Sequence, residues 1–296
     1  MAELSIGQAA GAGLRLIRRE PLAVLGWAGL FLVLTAAMLL MLGGLVAQTA
    51  ALAGQAEPDP ADLVGMQLQM MGLQPLFTLG GLAVQTVVMA AVFRAVLQPE
   101  ERRFAYLRFS AQELWLGLVT LTISFGLGFA IALAVFPLAG MTAFMGFMLQ
   151  QAMDAWGFVL VGGLAFVVLF VGVVWLMLRL SMAYPMSFAE RTFRLFESWT
   201  LTRGHVAPLF LIFLLAMLLA LAIQLLFLAI GVTAILASLG ASWQAALASD
   251  PLLLFRSAGS LIAVFAVLYS LAAALTAAIV MAPLADAYRQ LVAEPA

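Results

Sequence analysis

The sequence predicts an all-α fold: a polytopic membrane helix bundle of six transmembrane helices with amphipathic helices at the interface, read as a single integral membrane domain over 1–296. Three observations carry that expectation. The chain is 66% hydrophobic and only 9% charged, with a mean hydropathy of +1.15, where a soluble domain carries roughly 25% charge. Its apolar runs are each long enough for the about 20 residues that a helix needs to cross a bilayer. Finally, all 13 basic residues are Arg, and on the threading below every one except Arg256 falls on the same side. That is the positive-inside pattern, and it places both termini in the cytoplasm. Arginine without lysine, together with the alanine richness, reads as high-GC bacterial codon usage and hence as a multi-pass protein of the bacterial inner (cytoplasmic) membrane.

The first 20 residues open with Ser5 and Gln8 at capping-box spacing and continue as a weakly amphipathic helix ending in Arg15, Arg18 and Arg19. Pro21 begins the first span, Leu22 to Val46. Ala51 and Ala53 after a basic region fit a cleaved signal peptide, but the apolar run exceeds the roughly 7–15 residues of a signal h-region, so the span reads as a retained anchor. The stretch 47–73 holds Glu57, Asp59 and Asp62 with no Arg, and reads as an outer loop. Pro75 starts the second span, which runs to Leu97, with Arg94 near its inner end snorkelling toward phosphates. Pro99, Glu100 and Glu101 have the makings of a helix first turn, ahead of Arg102, Arg103 and Arg108.

Ser110 and Glu113 form the clearest box, flanked by Phe109 and Leu114 at hydrophobic-staple positions, and start the third span, which ends near Leu138 after Pro137. An Arg-free outer loop with Asp154 leads to the fourth span, Trp156 to Leu180, with Arg179 at its inner end. The charged island Ser187–Pro208 then reads as an amphipathic helix capped by Ser187 and Glu190. Phe188, Thr192, Leu195 and Trp199 share one side; Glu190, Arg191, Arg194 and Glu197 share the other, with Glu190 and Arg194 paired at i, i+4. Gly204 stops that helix and Pro208 opens the fifth span, to Ala237, long enough to be tilted or kinked near Gly231. Gly240 and Pro251 bound the last outer loop. The sixth span is Ser257 to Ala282, and Pro283 introduces a tail whose Leu284, Tyr288 and Leu291 share a face. The rhythm of inner arginines, span out, loop and span back suggests helical-hairpin repeats 1–98, 99–182 and 183–296.

With no Cys and a single His, disulfides and thiolate metal sites are excluded. No ionisable residue is expected at mid-depth, where transporters and intramembrane enzymes keep them, and no metalloprotease, paired-Asp or nucleophile-elbow motif is present. The expectation is therefore no catalytic residue, no metal, no cofactor, and no nucleic-acid partner. Met141, Met145 and Met148, and Met66, Met70 and Met71, offer thioethers suited to Cu(I). Interleaved Phe144, Phe147 and Leu149 favour instead an apolar interfacial face. Paired glycines at 43–44, 80–81 and 162–163 read either as a bundle pinched outside and splayed inside or, as we favour, as the ordinary glycine content of membrane helices. Gln85, Thr86, Thr120, Thr122, Ser124, Gln224 and Thr276 could line a narrow polar path or bond between helices. Arg102, Arg103, Arg108, Arg191, Arg194 and Arg203 are the candidates for lipid headgroups. The function expected is a non-enzymatic lipid-interacting protein or membrane scaffold, with membrane lipids and an unidentified protein as partners; the alternative is a transporter or channel for a lipid-like or small amphipathic solute.

Within Ser198–Phe210, Ser198, Trp199, Leu201, Thr202, Arg203 and Gly204 form a run that resembles the membrane domain associated with bacterial glycerophosphoryl diester phosphodiesterases and its stand-alone uncharacterised relatives. The six-span layout and the Ala-Tyr-Arg near Tyr288 agree with it. The resemblance implies an inner-membrane protein tied to lipids or a partner. Enzymatic relatives carry a separate soluble barrel that is not expected in these 296 residues, so no catalytic residue carries over.

Overall fold

The computed structural model describes residues 4–53, 59–108, 110–148, 155–239 and 259–293. Among them the elements are α1 (Ile6–Ala10), α2 (Ala12–Arg19), α3 (Pro21–Ala53), α4 (Pro60–Leu97), a tight turn at Arg103–Tyr106, α5 (Ala111–Met148), α6 (Ala155–Leu180), α7 (Ala183–Glu190), α8 (Glu197–Leu201), α9 (Val206–Leu239) and α10 (Gly259–Ala293). No strand occurs among the described residues, and six helices, α3, α4, α5, α6, α9 and α10, are long and apolar enough to cross a membrane. The protein is an all-α bundle of six candidate spans.

Several boundaries differ from the sequence reading, each for a local reason. The second span starts at Pro60, not Pro75, because Asp59 caps it: the carboxylate accepts the Ala61 N–H at 2.8 Å, with Pro60 pre-set in the first turn. Pro75, Pro137 and Pro283 then sit inside continuous helices. An interior proline removes one backbone bond, but in lipid no solvent competes for the rest, so the helix continues. Residues 139–148 are thus helical instead of looped, and the tail after Pro283 belongs to α10. Pro99–Glu101 form no helix; they lie in the turn after α4. Near the N-terminus, Ser5 makes no side-chain cap, and its backbone N–H donates to Gln290 Oε1 at 3.0 Å. α9 runs unbroken past Gly231, which marks a close packing point: a Cβ there would lie 2.3 Å from the Phe265 ring of α10.

The core occupies one half of the bundle. Trp27, Phe93, Leu116, Met182, Phe188, Ile212 and Ile279 are fully buried, all toward the helix ends that carry the arginines. Away from that end, no residue of α4 before Thr86, of α5 from Ser124 to Pro137 or of α6 from Gly162 to Met177 is buried. Gly44, Gly81, Gly162 and Gly163 face open space. The bundle is therefore packed at its arginine-bearing end, and α4, α5 and α6 splay at the other, where α9 and α10 stay in contact at Gly231 and Phe265; this is the reverse of the pinched-outside arrangement that paired glycines could have implied. α10 is the hub of the packed half, touching α1, α2, α3, α4, α7 and α9. The short elements plug that end. The spans expose large apolar side chains such as Leu22, Leu40, Phe136 and Leu164, which only a hydrocarbon environment covers without cost.

Candidate functional site

At the packed end, the segment after α4 is folded backward onto the bundle. Phe104, Ala105 and Tyr106 hold φ of 52°, 56° and 63°, a left-handed conformation that costs L-residues about 1–2 kcal/mol each. Such backbone persists where surroundings over-determine it, and here two long side chains claim its carbonyls. Trp27 Nε1 donates to Ala105 O at 2.9 Å, and Arg94 donates to Tyr106 O. The Tyr106 side chain is buried beneath.

Arg94 is the centre of the site. Only 1% of its side chain is exposed. One guanidinium nitrogen takes Tyr106 O, another the Glu113 carboxylate, and the group lies 5.5 Å from the Phe188 ring centroid. It does not snorkel, as sequence suggested; it is an internal tie between α4, α5 and α7. Glu113 reaches it because the predicted capping box is half formed. Glu113 Oε2 accepts the Ser110 N–H at 2.8 Å, while the Ser110 hydroxyl accepts from Gln112 N at 3.3 Å instead of from the amide of Glu113. The other carboxylate oxygen is left for Arg94. Gln112 extends the link, donating to Phe188 O at 3.2 Å. Phe109 lies outside the described residues.

Beside this centre, Arg94, Glu101, Arg108, Ser110, Gln112 and Arg191 line a polar pocket of about 140 Å³. Arg108 pairs with Glu101 at 2.8 Å; Arg191 has no ion-pair partner among the described residues. Ser110 and Ala111 also border a second space, an apolar cleft of about 640 Å³ between α4 and α5 lined by Leu79, Leu82, Thr86, Leu114, Gly117 and Leu121. The two spaces adjoin at the start of α5, where they share Ser110 and Ala111.

No family model, curated protein or solved structure matches the chain. The site must therefore be read from its own geometry. The Ser198–Gly204 run forms a clasp on the end of α6. Ser198 Oγ donates to Arg179 O at 2.7 Å, and Thr202 Oγ1 donates to Ser198 O at 2.9 Å. The Arg179 guanidinium lies against the edge-to-face indoles of Trp175 and Trp199, 5.5 and 5.3 Å from their centroids, and donates to Trp199 O at 3.3 Å. Arg179, placed by the sequence at the inner end of the fourth span, is thus held by cation–π contacts. Leu201 packs on the core, Arg203 is exposed, and Gly204 takes the left-handed φ of 86° expected of a stop.

The island before it is not one amphipathic helix. Ser187 is buried inside α7, and its hydroxyl accepts the Arg194 N–H at 3.0 Å, so no box forms with Glu190. Arg191 ends α7 with φ 56° and ψ 35°, and the chain turns before restarting at Glu197. Arg194 still bridges Glu190 and Glu197, each at 2.8 Å, across the turn. These contacts hold the Glu197 carboxyl below its ordinary range and the Arg194 guanidinium above its own, the Arg194–Glu197 hydrogen bond being the largest cause of each shift. Of the remaining headgroup candidates, Arg102 pairs with Glu20 at 3.0 Å, and Arg103 and Arg203 are exposed without ion-pair partners among the described residues. The Met141–Met148 side chains lie outside the described residues; Met70 and Met71 border an apolar cleft between α3 and α4 with Met38, Met41 and Phe77.

Only part of the suggested polar path assembles. Gln85, Thr120 and Ser124 meet Ser181 and Tyr184 around an open cavity of about 230 Å³, at which Gln85 and Ser124 are exposed. Thr86 faces the α4–α5 cleft, Thr122 bonds Leu118 O of its own helix, and Gln224 donates to Thr276 Oγ1 at 3.1 Å.

Proposed function

We propose that the protein is a non-enzymatic, lipid-interacting integral protein of the bacterial inner membrane, with its packed end and both termini at the cytoplasmic leaflet. One observation carries this reading: Arg18, Arg103, Arg191 and Arg203 are exposed on the packed end with no ion-pair partner among the described residues. Basic groups beside an anionic leaflet attract it by about 1 kcal/mol each. The resemblance of the Ser198–Gly204 run to the phosphodiesterase-associated membrane domain belongs to the same proposal, and the clasp geometry gives that run a role in closing α6. Replacing Arg18, Arg103 and Arg203 together by Gln should reduce the enrichment of anionic over zwitterionic phospholipid in the purified protein by about 100-fold at most, given about 1 kcal/mol per residue. An unchanged lipid profile contradicts the proposal.

A second reading, passage of a lipid-like or small amphipathic solute, is favoured by the open cavity around Gln85 and Ser124. In liposomes it predicts protein-dependent movement of a fluorescent phospholipid between leaflets that Gln85→Leu slows. Absence of such movement with wild type removes it.

A further inference from the structure

The polar pocket and the α4–α5 cleft together have the form of an amphiphile, and their chemistry selects which one. We propose that they bind one anionic glycerophospholipid, with its phosphodiester in the pocket between Arg94, Arg108 and Arg191 and one acyl chain along the cleft. This rests on the lipid-interacting reading above and deepens it to a single site.

Charge complementarity is the first argument. Arg94 and Arg108 pair with Glu113 and Glu101, and Arg191 borders the same pocket with no ion-pair partner among the described residues, three positive charges against two negative. One positive charge remains, which a headgroup of net charge −1 neutralises and a zwitterionic one does not. The second argument is an unmet donor. Arg94 Nε is buried with no hydrogen-bond partner, since Glu101 Oε2 stands 3.8 Å away, beyond reach. A buried unpaired donor is costly, and a phosphate oxygen in the adjoining pocket would satisfy it. The amino end of the long helix α5 borders the same space, where the helix dipole favours an anion.

Backbone conformation and depth agree. Arg191 borders the pocket from a left-handed residue, a position where glycine would be relaxed; arginine there is a strained choice of the kind found at ligand clamps. The cleft follows α5 from Ala111 to Leu121. At 1.5 Å per residue that is about 15 Å, half of a hydrocarbon core of about 30 Å, and so one leaflet's acyl chain.

The test uses the full chain in detergent, stripped of lipid and titrated with dioleoyl phosphatidylglycerol or dioleoyl phosphatidylethanolamine, with bound lipid counted by native mass spectrometry. Wild type should bind one phosphatidylglycerol in preference to phosphatidylethanolamine. Arg191→Gly removes the guanidinium while suiting the backbone, so it should leave the melting temperature of the stripped protein unchanged or higher and weaken that binding about tenfold, the scale of a lost charge-assisted contact. Gly117→Leu fills the cleft from a position where a Cβ meets only Thr86 Cγ2 at 3.6 Å; it should weaken lipid binding and leave the pocket intact. Wild-type affinity in both variants overturns the site. Weakening by Arg191→Gly alone, with inorganic phosphate competing as well as the lipid does, shows a phosphate pocket and overturns the lipid assignment; weakening by Gly117→Leu alone overturns the headgroup placement. If wild type binds no anionic lipid at all, the broader reading fails, whereas binding indifferent to both variants leaves that reading standing and removes only this site.

Discussion

Without its guanidinium partner, the Glu113 carboxylate would keep its Ser110 contacts but lose its counter-charge, and both groups of the Arg94–Glu113 pair are almost wholly buried. Breaking a buried pair from one side costs about 3–5 kcal/mol. Arg94→Met should destabilise more than Glu113→Gln, since it also frees Tyr106 O and the left-handed turn. The double variant Arg94→Met/Glu113→Leu should cost less than the two single changes together. Denaturation in mixed detergent micelles measures all three, and strict additivity would show that the two residues do not act as a pair. The Ser110–Glu113 signal was legible because capping is local, a matter of three residues. The role of Arg94 was not, since its partners lie 12 and 19 residues along the chain and meet it only after the turn reverses. A lone arginine near the end of an apolar span has two outlets, phosphate or an internal counter-ion. Only the position of the helix that follows decides between them.

Helix by helix, close approaches are made by glycines: Gly231, expected as a kink, is instead a contact with α10, and Gly13 carries no local signal in the sequence. A Cβ on Gly13 would lie 2.5 Å from Ile279 Cα, backbone that cannot step aside, so α2 rests directly on α10. Gly13→Ala should therefore unseat α2 and lower the midpoint of unfolding by more than the gain of about 1 kcal/mol that alanine brings to a helix interior. Gly44→Ala, which meets nothing, should be neutral or slightly stabilising. If the two variants melt alike, α2 is not docked as described. The spans themselves were readable from apolar length, and their starts wherever a cap or an N-terminal proline marked them. Their ends were not, because the signals used to stop them, Pro137 and Pro283, lie inside helices. The island after α6 failed differently. Its side-chain periodicity was real, and Glu190 and Arg194 do pair, but the left-handed Arg191 breaks the helix between them, and tertiary bonds from Ser187 hold the break.

The molecule as a whole is asymmetric across the membrane: one end is packed and carries the arginines, and the other is splayed, apolar and lined by clefts. Composition foretold six spans. It could not foretell which end holds the core, because nearly every span residue is apolar and burial against protein or lipid leaves the same trace in sequence. The proposed headgroup contacts require the packed, arginine-bearing end to face the cytoplasmic leaflet. The chain has no native Cys, so single cysteines report position directly. In intact cells, an impermeant maleimide should label a cysteine at Ala61, at the start of α4 on the splayed end, and should leave cysteines at Glu100 and Glu197 unlabelled until the membrane is opened. Labelling of Glu197→Cys from outside the intact membrane would contradict the account.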